Sequence, residues 1–332
     1  MQKDEKNILL RAENLKKYYP VRKKGFHRAP VYIKPVDNVS FVVNTNHTLG
    51  LVGESGCGKS TIGKAILNLL EPDGGRVVYQ GAEIFDVEKG RKLPAKEMTA
   101  LRKEMQMIFQ DPYACLDPRK SIGYIVSEGL KKHTDLSKAE IADKAAFMLH
   151  LCGMDRSAML RYPHEFSGGQ RQRIGIARAL AMNPKFLVCD EPTAALDVSI
   201  QSQILNLMLD LKEELGLTYL FISHNFSVVK AFCDEIAVMY LGKIVEWGKA
   251  DEVYACPRHP YTQALIASVP IQHPDQAKKE VRIKGSIPSA VDVPGGCRFH
   301  TRCPYKQDRC TEEEPAMRFV DEVWTACHLY DA

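Results

Sequence analysis

The hydrophobic pattern of the chain alternates between short apolar runs and helical repeats, which predicts a mixed α/β protein. Continuous apolar runs, typical of strands buried on both faces, occupy residues 49–52, 105–109, 186–189 and 219–222. Apolar residues at three-to-four-residue spacing, which form one buried face of a helix, recur in 62–70, 174–180 and 200–215. Each run is therefore expected to be a buried strand and each repeat a helix packed against the sheet.

Weaker patterns predict the remaining elements. Strands are expected over 8–15, 36–43 and 76–79, and a final hairpin over 235–241 and 243–247 with its turn at Gly242. The segments 93–104 and 122–159 have a helical composition. Within the second, Ser137 followed by Glu140 is typical of a capped helix start, and Gly216 is typical of a helix end. Residues 122–159 carry no recognisable chemistry, so we interpret them as a helical subdomain.

Composition and charge restrict the class of protein. With 332 residues, 45 % of them hydrophobic and 26 % charged, the chain is expected to form one large unit with an appendage. The 45 Lys and Arg residues exceed the 41 Asp and Glu residues by only +4, which is too little to indicate nucleic acid as a partner. No apolar run approaches the roughly 18 residues of a membrane span, and no apolar signal segment follows residues 1–6. We therefore expect a cytosolic protein with reduced thiols.

A glycine-rich segment between a predicted strand and a predicted helix has the spacing of a phosphate-binding loop. The segment reads Gly53, Glu54, Ser55, Gly56, Cys57, Gly58, Lys59, Ser60 and Thr61. Its glycines permit a tight turn with inward-pointing N–H groups, and the helix N-terminus that follows also favours an anion. Lys59 can reach the β- and γ-phosphates of a nucleotide, and the Ser60 hydroxyl can ligate Mg²⁺. The complete motif in this context predicts a nucleotide site rather than a chance glycine loop.

Polar residues at the ends of three other predicted strands could complete such a site. The amide oxygen of Gln110 could bind Mg²⁺ or an attacking water. Asp190 could hold Mg²⁺ through water, and Glu191 could orient and deprotonate the attacking water. His224 could donate a hydrogen bond to the γ-phosphate, since ligands of open α/β sheets gather at these strand ends. The alternatives are carboxylates that merely cap a sheet edge and a structural histidine.

A second anion-seeking segment and an aromatic residue are further candidates. Ser167, Gly168, Gly169 and Gln170 open a predicted helix, whose N-terminus would favour another phosphate. Tyr19 lies in the segment 16–20, which ends the first predicted strand, and could stack on an adenine ring. Packing of Tyr19 against the sheet is equally consistent with the sequence, and Tyr32 is a second candidate for the stacking residue.

In order and spacing these motifs resemble the ATP-binding cassette (ABC) family over about residues 8–254. The residues that carry the resemblance are Gly53 to Thr61, Gln110, Ser167 to Gln170, Asp190-Glu191, Ala195-Leu196-Asp197 and His224. The resemblance implies an α/β P-loop (RecA-like) nucleotide-binding domain with a helical subdomain and an antiparallel β subdomain. It also implies that two cassettes pack head to tail, with each ATP between the phosphate loop of one and the Ser-Gly-Gly-Gln helix of the other.

The resemblance assigns roles to residues of this sequence. Residues 53–61 would bind one ATP, and its Mg²⁺ would be held by Ser60, Gln110 and Asp190. Hydrolysis of this ATP would depend on Glu191 and His224. The segment Ser167, Gly168, Gly169 and Gln170 would close over the ATP of the partner cassette. Asp197 would link the two sites across the dimer interface.

A finer resemblance is carried by residues 110–119, by residues 259–265 (His-Pro-Tyr-Thr-Gln-Ala-Leu) and by the C-terminal cysteines. These segments are similar to the ATPase subunits of oligopeptide and dipeptide importers, which include nickel-importer relatives. The similarity implies an ATPase that powers import of di- and oligopeptides and pairs with a second, related ATPase. The pair would lie beneath two membrane permeases at the cytoplasmic face of a bacterial membrane, and an extracytoplasmic peptide-binding protein would deliver the cargo.

Alternative functions stay open at this stage. Import of nickel or of another small solute would use the same motifs. A non-transport ABC ATPase of DNA repair or translation would usually carry long coiled-coil insertions or two cassettes, and this sequence has neither. A P-loop kinase would leave the Ser-Gly-Gly-Gln segment without a role.

The last four of the ten cysteines form a separate candidate site. Cys297, Cys303, Cys310 and Cys327 are clustered closely enough to suggest a metal, whereas most of the other six are expected to be small core residues. Spacing alone does not separate Zn²⁺, which His300 and His328 could also bind, from a [4Fe–4S] cluster or from unligated thiols. The resemblance to peptide importers favours the [4Fe–4S] cluster. We expect an ABC domain over 1–255, with its helical subdomain at about 111–172, and a cysteine-rich extension over 256–332.

Overall fold

The structure, a computed structural model, describes residues 7–21, 31–269, 283 and 285–331. Their strands are β1 (Ile8–Val21), β2 (Val31–Asn44), β3 (Thr48–Val52), β4 (Gly74–Tyr79), β5 (Ala82–Asp86), β6 (Arg91–Lys92), β7 (Met105–Ile108), β8 (Phe186–Asp190), β9 (Thr218–Ser223), β10 (Glu235–Tyr240), β11 (Lys243–Lys249), β12 (Arg318–Val320) and β13 (Val323–Thr325). Their helices are α1 (Lys59–Ile66), α2 (Ala95–Glu104), α3 (Ile122–His133), α4 (Lys138–Leu151), α5 (Gly168–Leu180), α6 (Val198–Leu215), α7 (Phe226–Phe232), α8 (Ala250–Ala255) and α9 (Pro260–Ala267). The predicted mixed α/β class is confirmed.

The chain divides into two compact units. The first unit comprises residues 1–43, 48–92 and 223–332, and the second comprises residues 44–47 and 93–222. Within the described part of the chain, no helix is both long and apolar enough to cross a membrane.

The first unit contains strands of two sheets. In one, the strand order is β2-β1-β4-β5-β6, and β4 and β5 pair in antiparallel fashion between β1 and β6. In the other, β3 pairs in parallel with β10, and the antiparallel strands β11, β13 and β12 follow. The phosphate-loop strand β3 is buried at all five positions, as its apolar run predicts.

The second unit holds three parallel strands in the order β9-β8-β7. Every residue of β8 and β9 is buried, which explains why both strands are continuous apolar runs in the sequence. Helices α3, α4 and α5 contact one another. Helix α4 begins with the predicted capping box of Ser137 and Glu140, and α6 ends at Gly216 in the left-handed conformation.

The strand predicted over 36–43 begins earlier, at Val31. Two predicted C-terminal boundaries are also wrong, and local backbone conformations explain both. Helix α1 ends at Ile66 instead of residue 70, because Asn68 adopts φ +50° and the N–H of Leu69 bonds back to the Lys64 carbonyl at 2.9 Å. Strand β1 continues to Val21 instead of ending near residue 15. A register shift after Glu13 allows Lys16 to pair with Gly74 at the start of β4, so the strand does not stop at the shift.

The C-terminal part of the chain joins the first unit through a strand and an aromatic cluster. Strand β13 extends the sheet beside β11 and places Trp324 opposite Trp247. Phe299 packs against Tyr240 and Tyr261, with ring centroids 5.3 and 5.4 Å away. The sequence patterns did not predict β12, β13 or α9, because these elements are short.

The buried imidazole of His259 caps helix α9 and should make stability depend on pH. Its Nδ1 accepts the N–H of Tyr261 at 3.1 Å, and burial lowers the pKa of the imidazole from 6.5 to about 3. A base with a lowered pKa contributes stability above its unfolded pKa and loses it as pH falls toward the folded pKa, because only the unfolded chain takes up the proton. Between pH 7 and pH 5 this loss amounts to about 2 kcal/mol.

The substitution His259→Asn tests this assignment, since asparagine can still cap the helix but does not titrate. Relative to the variant, the wild-type chain is expected to lose about 2 kcal/mol more of its free energy of unfolding between pH 7 and pH 5. Denaturant unfolding of both chains at several pH values measures the difference. Parallel pH profiles would show that His259 is protonated in the folded chain as readily as in the unfolded one.

Candidate phosphate-binding and hydrolytic sites

The glycine-rich segment of the first unit forms a tight loop between β3 and α1, as predicted. Gly56 and Gly58 adopt φ values of +81° and +110°, which side chains disfavour. Lys59 is the first residue of α1 and is only 4 % exposed. Its ammonium donates to the carbonyls of Gly53 and Glu54 at 2.7 and 3.1 Å. The loop thus places a buried cation and a helix N-terminus together, a combination that favours a phosphate.

Close backbone neighbours explain why two of these glycines are required. A Cβ atom on Gly58 would lie 1.7 Å from the carbonyl oxygen of Pro35, and one on Gly53 would lie 2.1 Å from that of Met239. The N–H of Gly242 also donates to the Cys57 carbonyl at 2.9 Å, so the predicted hairpin turn supports the loop. Cys57 itself is buried, and burial raises the pKa of its thiol. Cys57 is therefore a neutral packing residue of the loop.

Glu54 contacts two residues to which the sequence patterns assigned no role at the phosphate loop. Its carboxylate accepts two hydrogen bonds from the Arg302 guanidinium, at 2.9 and 3.1 Å. Its N–H donates to the Tyr261 hydroxyl at 2.9 Å. No local pattern could have predicted either contact, because 248 and 207 residues separate the partners.

The predicted carboxylates of the second unit lie at the end of β8. Asp190 is 4 % exposed and ends the strand, and Glu191 follows it with φ +46°. The Glu191 N–H donates to the Ile222 carbonyl of β9 at 2.9 Å, which fixes this backbone. Gln110 lies just beyond β7, and its Nε2 donates to the Glu191 carboxylate at 3.1 Å. The structure therefore brings Gln110 and Glu191 together, as two parallel strand ends should.

The Ser-Gly-Gly-Gln segment begins α5 in the second unit, as predicted. Ser167 and Gln170 form a capping box, in which the Ser167 hydroxyl accepts the Gln170 N–H and the Gln170 amide oxygen accepts the Ser167 N–H. Both residues and Gly168 are exposed, whereas Gly169 is buried. A Cβ on Gly169 would lie 2.5 Å from Cγ2 of Ile200, so only glycine lets α5 approach α6 this closely. The helix N-terminus is thus exposed and fixed in place.

The remaining predicted residues lie on exposed surface. His224 is exposed in the turn between β9 and α7 in the first unit, and Asp197 is exposed immediately before α6 in the second. Tyr19 is 39 % exposed beneath the Lys17 ammonium, 5.3 Å from its ring centre, and Tyr32 is 42 % exposed. Either tyrosine presents enough ring surface to stack on a base, so the two candidates stay open.

The four C-terminal thiols are neighbours in the first unit. Burial, and then the adjacent thiols, raise the pKa of Cys327 to about 12, and burial raises that of Cys297 to about 11. Both ring nitrogens of His328 are engaged, with Nδ1 2.7 Å from Asp331 and Nε2 2.9 Å from the Glu313 carbonyl. Among the described residues, however, no group of three or more His, Cys, Asp or Glu side chains has an arrangement that could hold a metal ion. The predicted metal site is not confirmed.

Comparisons with known proteins identify relatives of this chain. The profile of the ABC transporter family matches residues 36–194, and that of the oligopeptide/dipeptide transporter C-terminal region matches residues 245–310. The oligopeptide transport ATP-binding protein AppF of Bacillus subtilis is 47 % identical, over 97 % of each chain. The dipeptide transport ATP-binding protein DppF of Escherichia coli is 44 % identical, over 97 % of this chain and 95 % of the relative.

Solved structures show the same fold. CbiO1 of Clostridium perfringens, part of the ABC transporter complex CbiONQ, superposes with a TM-score of 0.63 at 28 % identity, over 75 % of this chain and 92 % of that one. A dimeric ATP-binding cassette in a post-hydrolysis state, bound to ADP and Pi, gives a TM-score of 0.62 at 28 % identity, over 73 % of this chain and 98 % of that one. With relatives this similar along nearly its whole length, the chain belongs to the ABC transporter family, among the oligopeptide and dipeptide transport ATP-binding proteins.

Proposed function

We propose that this chain hydrolyses ATP to power the import of di- and oligopeptides through a membrane ABC transporter. The observation that carries the proposal is the 47 % identity, over nearly the full length, to a protein named for oligopeptide transport. The match of residues 245–310 to the C-terminal region of oligopeptide and dipeptide transporters adds support, because that region lies outside the ATP-binding motifs. The phosphate loop and the two carboxylates at the end of β8 are the parts that such an ATPase needs.

ATP would be held by the phosphate loop, residues 53–61. The buried Lys59 ammonium and the N-terminus of α1 neutralise the β- and γ-phosphates. Ser60, Gln110 and Asp190 would hold Mg²⁺, since hydroxyl, amide and carboxylate oxygens are the ligands that this ion prefers. Gln110 fits this role because its Nε2 is used toward Glu191, which leaves its amide oxygen as the donor atom. When bound, Mg²⁺ would withdraw charge from the phosphates.

Hydrolysis would depend on the carboxylate of Glu191. A carboxylate held beside the γ-phosphate can orient the attacking water and accept its proton. The hydrogen bond from Gln110 and the backbone bond to β9 fix the position of this group. His224 would donate a hydrogen bond to the γ-phosphate, and Tyr19 or Tyr32 would stack on the adenine.

The working unit would be a pair of cassettes. The exposed, capped N-terminus of α5 at residues 167–170 would bind the ATP held by a partner, and Asp197 would link the two sites. The partner would be a second, related ATPase, and the pair would lie on the cytoplasmic face of two bacterial membrane permeases. An extracytoplasmic protein would deliver the peptide. ATP binding would close the pair, and hydrolysis would open it.

Purification from membranes and transport assays test this proposal. The tagged chain is expected to co-purify with a second ATPase and two permeases. Reconstituted in vesicles with the binding protein, the complex should take up a radiolabelled dipeptide only when ATP is present on the cassette side. Uptake of Ni²⁺ in place of the dipeptide would overturn the assignment to peptides, and ATP hydrolysis without any transport would overturn the assignment to an importer.

A [4Fe–4S] cluster at Cys297, Cys303, Cys310 and Cys327 is part of the same proposal. The proximity of the four thiols supports it, although their sulfur atoms would have to move to reach ligand geometry. Because both ring nitrogens of His328 are engaged, the four thiols are the better ligand set. When bound, a cluster would tie together the part of the extension between Cys297 and Cys327 and would stabilise its thiolates.

Anaerobically purified protein should therefore show visible absorbance and contain acid-labile sulfide. The variant Cys303→Ser should lose most of both signals, whereas Cys256→Ser, which changes an exposed cysteine outside the cluster, should keep them. A colourless wild-type protein that contains one zinc ion would contradict the iron–sulfur assignment.

A further inference from the structure

One residue of the phosphate loop, Glu54, is held through three of its groups: its N–H, its carbonyl and its carboxylate. Its N–H donates to the Tyr261 hydroxyl at 2.9 Å, and its carbonyl accepts the Lys59 ammonium at 3.1 Å. Its carboxylate accepts hydrogen bonds from both terminal nitrogens of Arg302, at 2.9 and 3.1 Å. Paired hydrogen bonds from a guanidinium fix orientation as well as distance. The start of the loop is therefore fixed in both position and direction.

The two groups that hold Glu54 from outside the loop are themselves immobilised. Tyr261 is fully buried in α9, and its ring lies 4.6 Å from that of Tyr240 between centroids. Arg302 is only 7 % exposed, and its guanidinium lies 5.8 Å from the ring centre of Tyr240 and 5.9 Å from that of Phe299. A guanidinium between two aromatic rings and a carboxylate has little freedom to reorient.

The same residue also sets the position of the lysine ammonium. Lys59 is tied to the carbonyls of Gly53 and Glu54, so a shift of Glu54 moves one of its two oxygen partners. ATP binding needs this ammonium to be aimed at the phosphates before the nucleotide arrives, because reorganisation on binding costs affinity. The arrangement links the C-terminal region to the ammonium through a single residue.

We infer that Arg302 and Tyr261 are positioning residues for ATP binding, which act through Glu54 to hold the phosphate loop and Lys59 in place. The inference rests on the proposed function, since it concerns the same nucleotide site. Neither residue needs to touch ATP. The C-terminal extension is then a structural part of the ATP site, and its aromatic cluster serves as the support for the loop.

A double-mutant cycle on the ion pair tests the inference. In the full-length chain, Glu54→Gln and Arg302→Gln are each expected to weaken binding of a fluorescent ATP analogue about tenfold, with a smaller change in kcat than in KM. The double variant should bind no more weakly than the worse single variant, because each substitution already removes the shared contact. Arg302→Lys, which keeps the charge and loses the paired geometry, should give an intermediate loss. Tyr261→Phe, which keeps the ring and loses the acceptor, should weaken binding a few-fold.

The control is Arg309→Lys, because among the residues that the structure describes Arg309 forms ion pairs only with Glu313 and Asp331, inside the extension. This variant should bind the ATP analogue like wild type. The inference would be overturned if the losses of ATP affinity in the two single variants added up in the double variant. It would also be overturned if every variant that folds bound ATP with wild-type affinity. A wild-type complex that hydrolyses no ATP would instead overturn the proposed function, so the two failures are distinguishable. If Arg302→Gln does not fold, Arg302→Lys and Tyr261→Phe decide the matter.

Discussion

The substitution Glu191→Gln is expected to reduce ATP hydrolysis by more than about a hundredfold, because a glutamine cannot accept the proton of the attacking water. ATP binding should persist, since the phosphate loop and Lys59 lie between β3 and α1 and at the start of α1, whereas Glu191 follows β8. The Gln110 contact should also survive, because the glutamine side-chain oxygen can accept the bond that Glu191 accepts at 3.1 Å. Because the variant should still bind ATP but should not hydrolyse it, the paired, ATP-bound state should accumulate.

Phosphate release and size-exclusion chromatography measure the two halves of this result. The variant should form an ATP-dependent dimer, or an ATP-stabilised pair with its natural partner, that does not dissociate. The matched control is Glu128→Gln, which removes an exposed carboxylate paired with Lys132 on α3 and should leave hydrolysis unchanged. A Glu191→Gln variant that hydrolyses ATP at the wild-type rate would remove Glu191 from its proposed role.

The substitution Gly58→Ala is expected to abolish ATP binding and to destabilise the first unit by several kcal/mol, as overpacking and a disallowed φ combine. The new methyl group would lie 1.7 Å from the Pro35 carbonyl oxygen, and that oxygen belongs to the backbone of β2. This clash could be relieved only if the phosphate loop or β2 moved. Thermal unfolding and binding of a fluorescent ATP analogue measure the two effects.

Gly56→Ala serves as the comparison for this clash. Gly56 also has a positive φ, of +81°, but a Cβ there would meet no atom within 4 Å. Its substitution should therefore lower the free energy of unfolding by about 1–2 kcal/mol, which is the cost of placing an alanine at a positive φ. Equal destabilisation by both substitutions would show that backbone conformation, and not the close approach to β2, makes Gly58 necessary.

The sequence predicted those elements whose environment is uniform along their length. Strands β8 and β9 are buried at every position, so their composition is apolar throughout and the pattern is unambiguous. Strands β5 and β6 and the C-terminal strands β12 and β13 were not predicted, because they are short and several of their residues are exposed. Strands β5, β6 and β12 pair with strands next to them in the chain, and β13 also pairs with the distant β11, so each strand is too short to show a clear period.

The candidate sites show the same division. The phosphate loop, the Ser-Gly-Gly-Gln segment and the strand-end carboxylates are local arrangements, so the residue types at fixed spacing were enough to predict them. The support of the loop by Arg302 and Tyr261 could not be predicted, because neither residue belongs to a phosphate-binding motif and both lie more than 200 residues away. Sequence patterns thus identify the residues that we propose to bind phosphate, but not the residues that contact them from distant parts of the chain.

The strand pair β11–β13 has a spectroscopic consequence. The sequence contains two tryptophans, and this pair sets them opposite each other as Trp247 and Trp324. All intrinsic indole emission of the protein therefore originates where the C-terminal strand joins its neighbour. When the protein is excited at a wavelength that its tyrosines do not absorb, a change in the intensity or wavelength of that emission would report separation of this strand without any label.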